Sequence, residues 1–107
     1  MRALIVMALA GIASPSFAQT TVNSSIQSIR TGWNADLFAV VTVDPIVNPA
    51  NCPTPDGYIS EISNPGYNTY YAAALAAYLG GRSVTVAVDN AHCGAAGRPK
   101  LIGINLN

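Results

Sequence analysis

Charge is what this 107-residue chain has least of: five Lys and Arg, five Asp and Glu, and a single histidine. A nucleic-acid groove needs clustered cations to displace condensed counterions, so that class of partner is excluded. Cysteine is scarce too, with two in the whole chain, and one histidine cannot complete a four-ligand zinc site around them. The chain has no GxSxG elbow, no HExxH and no glycine-rich phosphate loop followed by lysine. Its acids are scattered singly, so nothing marks a nucleophile with its base, a metalloenzyme or a catalytic carboxylate pair. His92 sits beside Cys93 and reads as a loop residue rather than a general base. The expectation is a protein that is not an enzyme and uses no metal and no cofactor.

A long hydrophobic run is also missing. The first segment, MRALIVMALAGIASPSFAQ, has one positive charge at Arg2, an apolar run from Ala3 to Ile12, a break at Pro15 and small residues at Ser16 and Ala18. This is the pattern of a secretory signal peptide over residues 1–18, cleaved after Ala18. The run falls short of the roughly 20 apolar residues that a membrane span needs, and no later segment is a better candidate. The expected product is secreted or periplasmic, with residues 19–107 forming one domain around one modest core. In an oxidising compartment Cys52 and Cys93 are expected to pair. Their bond would close a loop of about 40 residues, worth roughly 4 kcal/mol in loop-closure entropy. The spacing is unlike the CxxC of a reactive thiol pair.

What is present is β-rich. Ser24 to Arg30 can form a first strand with a bulge or bend, Ile26 and Ile29 inward, ending at the turn Gly32-Trp33-Asn34. LFAVVTV, Leu37 to Val43, is dense in β-branched and aromatic residues and is the clearest strand. Pro49, Pro53 and Pro55 exclude a central strand from the following stretch, which is a loop carrying Cys52. Tyr58 to Ile62 predicts a third strand. After Asn64-Pro65-Gly66 comes one alanine-rich helix, Thr69 to Leu79, with Asn68 as N-cap and Gly80-Gly81 as its stop. Tyr71, Leu75, Tyr78 and Leu79 fall at helical spacing and are expected to face the core. Ser83 to Asp89 and Leu101 to Leu106 alternate as strands four and five, with Asn90 to Lys100 a loop between them. Three strands, a helix, then two strands is the order of the OB-fold, a partly open five-stranded barrel. A small α+β sandwich can share that order.

Two features bear on function. From Ser63 to Gly81, a stretch holding the whole helix, there is no charged residue, although a helix on a monomer's surface shows charge on its outer side. Ala72, Ala73, Ala76 and Ala77 would let another surface approach closely. A homo-oligomer that covers the helix, or a weakly amphipathic helix on a monomer, both fit. The second feature is Trp33, beside Asn34 and Asp36 in the first turn. In an OB-fold that turn and the loop between strands four and five frame the face that takes oligosaccharides and oligonucleotides. Trp33 therefore either stacks a sugar ring or caps the end of the barrel.

The stretches IQSIRTGWNADLFAVVTV and YYAAALAAYLGGRSVTVAVDNAHC resemble the B subunit of subtilase cytotoxin, its relatives among the AB5 toxin binding subunits, and secreted stand-alone proteins of the same group. The shared pattern is a strand ending in Gly32, an apolar strand through Phe38, a helix closed at Gly80-Gly81 and a valine-alternating strand. The resemblance implies an OB-fold, a ring of five subunits with helices lining its centre, recognition of sialylated glycans, and a separate catalytic subunit as partner. The toxins use a serine shortly before the first strand at their sugar pocket. Counting back from Gly32 without a gap puts Val22 there, with Ser24 and Ser25 adjacent but out of register. The sequence reading is thus a secreted, non-enzymatic, carbohydrate-binding subunit with Ser24, Ser25, Trp33, Asn34 and Asp36 as candidate ligand residues. The alternative is a periplasmic structural or protein-interaction module of the same fold.

Overall fold

A computed structural model describes residues 18–107. The expected signal peptide therefore lies outside the described residues, except for Ala18. The chain forms five strands, β1 (Gln19–Thr31), β2 (Leu37–Thr42), β3 (Tyr58–Glu61), β4 (Ser83–Cys93) and β5 (Pro99–Leu106), and one helix, α1 (Tyr67–Gly80), between β3 and β4 in the chain. They close in the order β1-β2-β3-β5-β4, with β4 returning to β1, which is the OB-fold ring. Closure is uneven. The other neighbours are antiparallel ladders, but β3 and β5 meet at one parallel pair, Ile59 with Lys100, so the barrel is partly open there.

The long β1 makes this ring with a single strand shared between two ladders. Its first half, Gln19 to Ser25, pairs with β4, and its second half, Ile26 to Thr31, pairs with β2. The register shifts between Ile26 and Ser28, where the sequence predicts a bulge, and the extra residue lets one strand bend from one ladder to the next. Inside the ring Ile26, Phe38, Val40, Tyr58, Val84, Val86, Val88 and Leu101 are buried. Each large apolar side chain taken from water in this way stabilises the fold by about 1.5–3 kcal/mol before entropy is counted.

The helix corrects part of the sequence reading. Tyr71 does face inward, its ring 5.2 Å from that of Phe38 in an edge-on contact. The other core-facing positions are Ala74 and Ala77, both buried, with Tyr67 and Tyr70 packed beside them. Leu75, Tyr78 and Leu79 face outward, at 36%, 46% and 75% exposure. A helix that is apolar on every side carries no periodic signal of which side is inside, and alanines permit the closest seat on the barrel. Asn68 is not the N-cap. The helix begins at Tyr67 after Gly66, which has φ 85° and supplies no side-chain cap. The Gly66 carbonyl instead accepts from the Thr69 hydroxyl at 2.9 Å, and the Asn64 carboxamide accepts the Glu61 N–H at 2.9 Å. The helix does stop at the predicted place. Gly81, at φ 65°, returns its N–H to the carbonyls of Ala77 and Tyr78, a left-handed cap that glycine adopts without a Cβ penalty.

Three strands also extend further than their patterns suggest, β1 back to Gln19, β4 on to Cys93 and β5 back to Pro99. The predicted loop over residues 90–100 shrinks to a single 3-10 turn, Ala95–Gly97, between β4 and β5. Polar strand residues such as Thr20 and Asn90 hide this extension from an alternation test. Their side chains bond to each other at 2.6 Å.

Candidate functional site

Alternation along β2 and β3 creates two different faces. Phe38, Val40 and Tyr58 point into the core, so Leu37, Ala39 and Ile59 point outward. Ala39 and Ile59 are nevertheless almost fully buried, because a second layer lies over them. That layer consists of the loop after β2 and the turn between β4 and β5, tied together by the Cys52–Cys93 disulfide, Cα–Cα 5.7 Å. Within it the Asn48 carboxamide donates to the Cys52 carbonyl at 2.9 Å and accepts the Cys52 N–H at 2.8 Å. Thr54 donates its N–H to the Gly97 carbonyl at 2.9 Å.

Asp56 stands at the margin of this layer between two arginines. Arg98, from the β4–β5 turn, donates through Nε to Oδ1 at 2.5 Å and through Nη2 to Oδ2 at 3.3 Å. Arg30, from the end of β1, places Nη1 3.5 Å from Oδ2 and donates Nη2 to the Asp56 carbonyl at 2.8 Å. The Arg98 hydrogen bond, outweighing slight burial and helped by both guanidinium charges, holds the Asp56 carboxyl below its ordinary value. One carboxylate shared by two guanidiniums leaves a surplus positive charge at the site.

The β1–β2 turn forms the opposite wall. Gly32 donates its N–H to the Leu37 carbonyl at 2.8 Å, and a Cβ at this position would strike the Ala35 carbonyl oxygen and the Leu37 side chain, so the turn is built for glycine. It projects Trp33 into solvent at 93% exposure, which removes the reading of Trp33 as a core cap. Between turn and loop layer lies a cleft of about 360 Å³ lined by Arg30, Thr31, Gly32, Trp33, Leu37, Ala39, Ile59 and Arg98. Its floor is the β2–β3 face and its walls are the β1–β2 and β4–β5 loops, the surface on which OB-folds hold oligosaccharides and oligonucleotides. A groove of about 270 Å³ on the other side of the turn is lined by Thr31, Gly32, Ala35, Asp36, Leu37, Phe38, Tyr67, Asn68 and Tyr71.

The five candidate ligand residues divide between two places. Trp33 lines the cleft, Asp36 lines the groove, and Asn34 is in the turn between them with φ 76°. Ser24 and Ser25 are at the middle of β1, before its bend, in register with Val84 and Ser83. The Ser24 hydroxyl is buried, donates to Asp44 Oδ2 at 2.7 Å and accepts the Asp44 N–H at 3.3 Å. The Ser25 carbonyl accepts the Val43 N–H at 3.0 Å. Arg30, Asp56 and Arg98 escaped sequence reasoning because only the ring brings together positions so far apart in the chain. The usable signal was the β4–β5 loop itself, which the OB-fold order already marks as part of the binding face.

Away from the cleft, the one histidine is paired with an aspartate. His92 Nδ1 lies 3.2 Å from Asp89 Oδ2 at an exposed site. Asp89 Oδ1 accepts the N–H groups of Ala91 and His92. Slight burial acts to raise the Asp89 pKa, but these bonds and His92 outweigh it and leave the carboxyl below its ordinary value. Among the described residues no three His, Cys, Asp or Glu side chains are grouped to hold a metal ion, and no helix is long and apolar enough to cross a membrane.

Cleft and ring together define an OB-fold with an open cleft on its β2–β3 face. Compared with protein-family models, with curated proteins and with solved structures, the chain matches none.

Proposed function

We propose that this chain is an exported, non-enzymatic OB-fold subunit that binds carbohydrate in the cleft beneath Trp33. The observation carrying this reading is the indole held clear of the protein over a cleft whose other walls bear two guanidinium groups. A sugar presents one face of C–H bonds to an aromatic ring and directs hydroxyls sideways to planar donors. Trp33 supplies the ring, Arg30 and Arg98 supply the donors, and Asp56 keeps both guanidiniums oriented. The surplus positive charge also suits an acidic sugar, consistent with the sialylated glycans that the resemblance to the subtilase cytotoxin B subunit implies. Ser24, already engaged with Asp44, is structural in this reading, and Ser25 lies beside it, away from the cleft.

Glycan-array binding by the wild-type protein, lost in Trp33→Ala and weakened in Arg98→Ala, is the expected result. Binding retained by both variants would place the sugar elsewhere.

A second reading has its own observation. Leu75, Tyr78 and Leu79 form an uncharged outer helix face, and exposed apolar surface of this kind favours burial against protein. In this reading the chain is a periplasmic or secreted interaction module, assembling as a homo-oligomer such as a pentamer or docking a separate catalytic chain. Size-exclusion with light scattering discriminates the two. A concentration-independent monomer with a sugar-binding cleft supports carbohydrate binding without assembly, whereas an oligomer broken by Leu79→Glu with blank arrays supports the interaction module.

A further inference from the structure

The groove behind the β1–β2 turn differs chemically from the cleft in front of it, and the two share Thr31, Gly32 and Leu37 in their walls. The cleft offers guanidinium donors and an indole. The groove offers a carboxylate at Asp36, a carboxamide at Asn68 and the phenols of Tyr67 and Tyr71. Its aromatic side is fixed in advance: the Tyr67 and Tyr71 rings lie 5.6 and 5.2 Å from Phe38, tilted by 50° and 67°, and Phe38 is buried in the core. The backbone that carries the exposed Asp36 carboxylate is anchored, its carbonyl accepting the Ile62 N–H at 3.0 Å. Sites whose groups are already held in place lose less entropy on binding.

We infer that this groove is a second sugar subsite, so that cleft and groove hold neighbouring units of one oligosaccharide that crosses the β1–β2 turn. The inference rests on the carbohydrate reading of the cleft. A carboxylate accepts hydrogen bonds from two adjacent hydroxyls, a carboxamide both gives and takes, and a phenol ring covers a C–H face. That set suits a neutral, hydroxyl-rich unit, because an acid group here would lie against Asp36. The ligand therefore has a direction, with any acidic unit at Arg30 and Arg98 and a neutral unit at Asp36. The Tyr67 phenol is a protonated donor at neutral pH, and burial, then the nearby Asp36 charge and Tyr71, push it further up. Each cavity alone is near the small end for ligand sites, and joined they lie well inside the usual range of about 300–1,000 Å³.

The test is a titration of the isotope-labelled protein, followed by two-dimensional amide spectra. The probes are sialyllactose, maltotriose and chitotriose, each beside its constituent monosaccharides. One trisaccharide should move the amides of Trp33 and Arg98 together with those of Asn68 and Tyr71. The double variant Asp36→Asn, Asn68→Ala, both exposed side chains, should weaken that trisaccharide by about fivefold, the loss of roughly one net hydrogen bond. It should leave binding of the constituent monosaccharide at the cleft unchanged. Trisaccharide shifts confined to the Trp33 and Arg98 side, or an affinity indifferent to the double variant, would overturn the groove while sparing the cleft. No shift with any sugar would overturn both.

Discussion

The two faces of the β2–β3 pair are held by different physics. On the inner face Phe38, Val40 and Tyr58 are sealed by the ring and by the tyrosines and alanines of α1. Polar groups on that side are satisfied too: the Tyr58 hydroxyl accepts the Val47 N–H at 2.8 Å, and the buried Thr42 hydroxyl donates to the Asp44 carbonyl at 2.9 Å. Burial pushes that phenol up, against the pull of its bonds to Val47 and Thr42. On the outer face Ala39 and Ile59 are covered by loops that stay in place through a disulfide, a carboxamide clamp and an arginine–aspartate cluster. Packing leaves no room for a ligand, whereas tethers can hold walls apart. The inner face is therefore held by packing, and the outer one by tethers that leave the cleft open beside them.

Substitutions on each side should separate these roles. Phe38→Ala empties the inner face and should cost about 3–5 kcal/mol in denaturant unfolding, enough to leave a domain of this size marginal. Removing the tether with Cys52→Ser and Cys93→Ser should cost roughly 4 kcal/mol by loop-closure entropy. It should also weaken carbohydrate binding, because the arm bearing Arg98 is no longer anchored. If the double variant bound sugar normally, the loop layer would not be what shapes the cleft. Trp33→Ala reverses the pattern, with unfolding free energy changed by less than about 0.5 kcal/mol, as for other exposed positions, and carbohydrate binding lost.

The smallest effect concerns acid. Because the Asp56 carboxyl is held below its ordinary 3.8 in the folded protein, its contribution is complete above that value and disappears as pH falls through the lowered one. The carboxylate is 46% exposed, so screening limits this contribution to less than about 1 kcal/mol. Unfolding curves of wild-type and Asp56→Asn proteins should differ at neutral pH and converge in acid. A constant gap across that range would contradict the ion-pair account.

Much of this architecture was legible in the residues. Valine alternation in β4, the apolar run of β2 and the glycine stop after α1 are local signals, and their order names the OB-fold. The Cys52–Cys93 bond followed from there being no other cysteine. The orientation of α1 was not legible, because alanine, leucine and tyrosine surround it on all sides and only the barrel's curvature selects Ala74 and Ala77 for the inside. The candidate site was half legible. Trp33 and Asp36 lie in the β1–β2 turn, which the order of elements already places beside the β2–β3 face, but Arg30, Asp56 and Arg98 meet only after the ring closes and the disulfide folds one loop onto another. The hydrogen bond from Ser24 to Asp44 was not legible either, because Asp44 reaches Ser24 only once β2 has paired with β1.

Trp33 is the only tryptophan in the chain, so its fluorescence reports on the cleft without labelling. Titrating the protein with a panel of neutral and acidic oligosaccharides should give a saturable change in indole emission for at least one of them, abolished by Arg30→Ala with Arg98→Ala. Emission unmoved by every member of the panel would contradict the claim that this cleft binds carbohydrate.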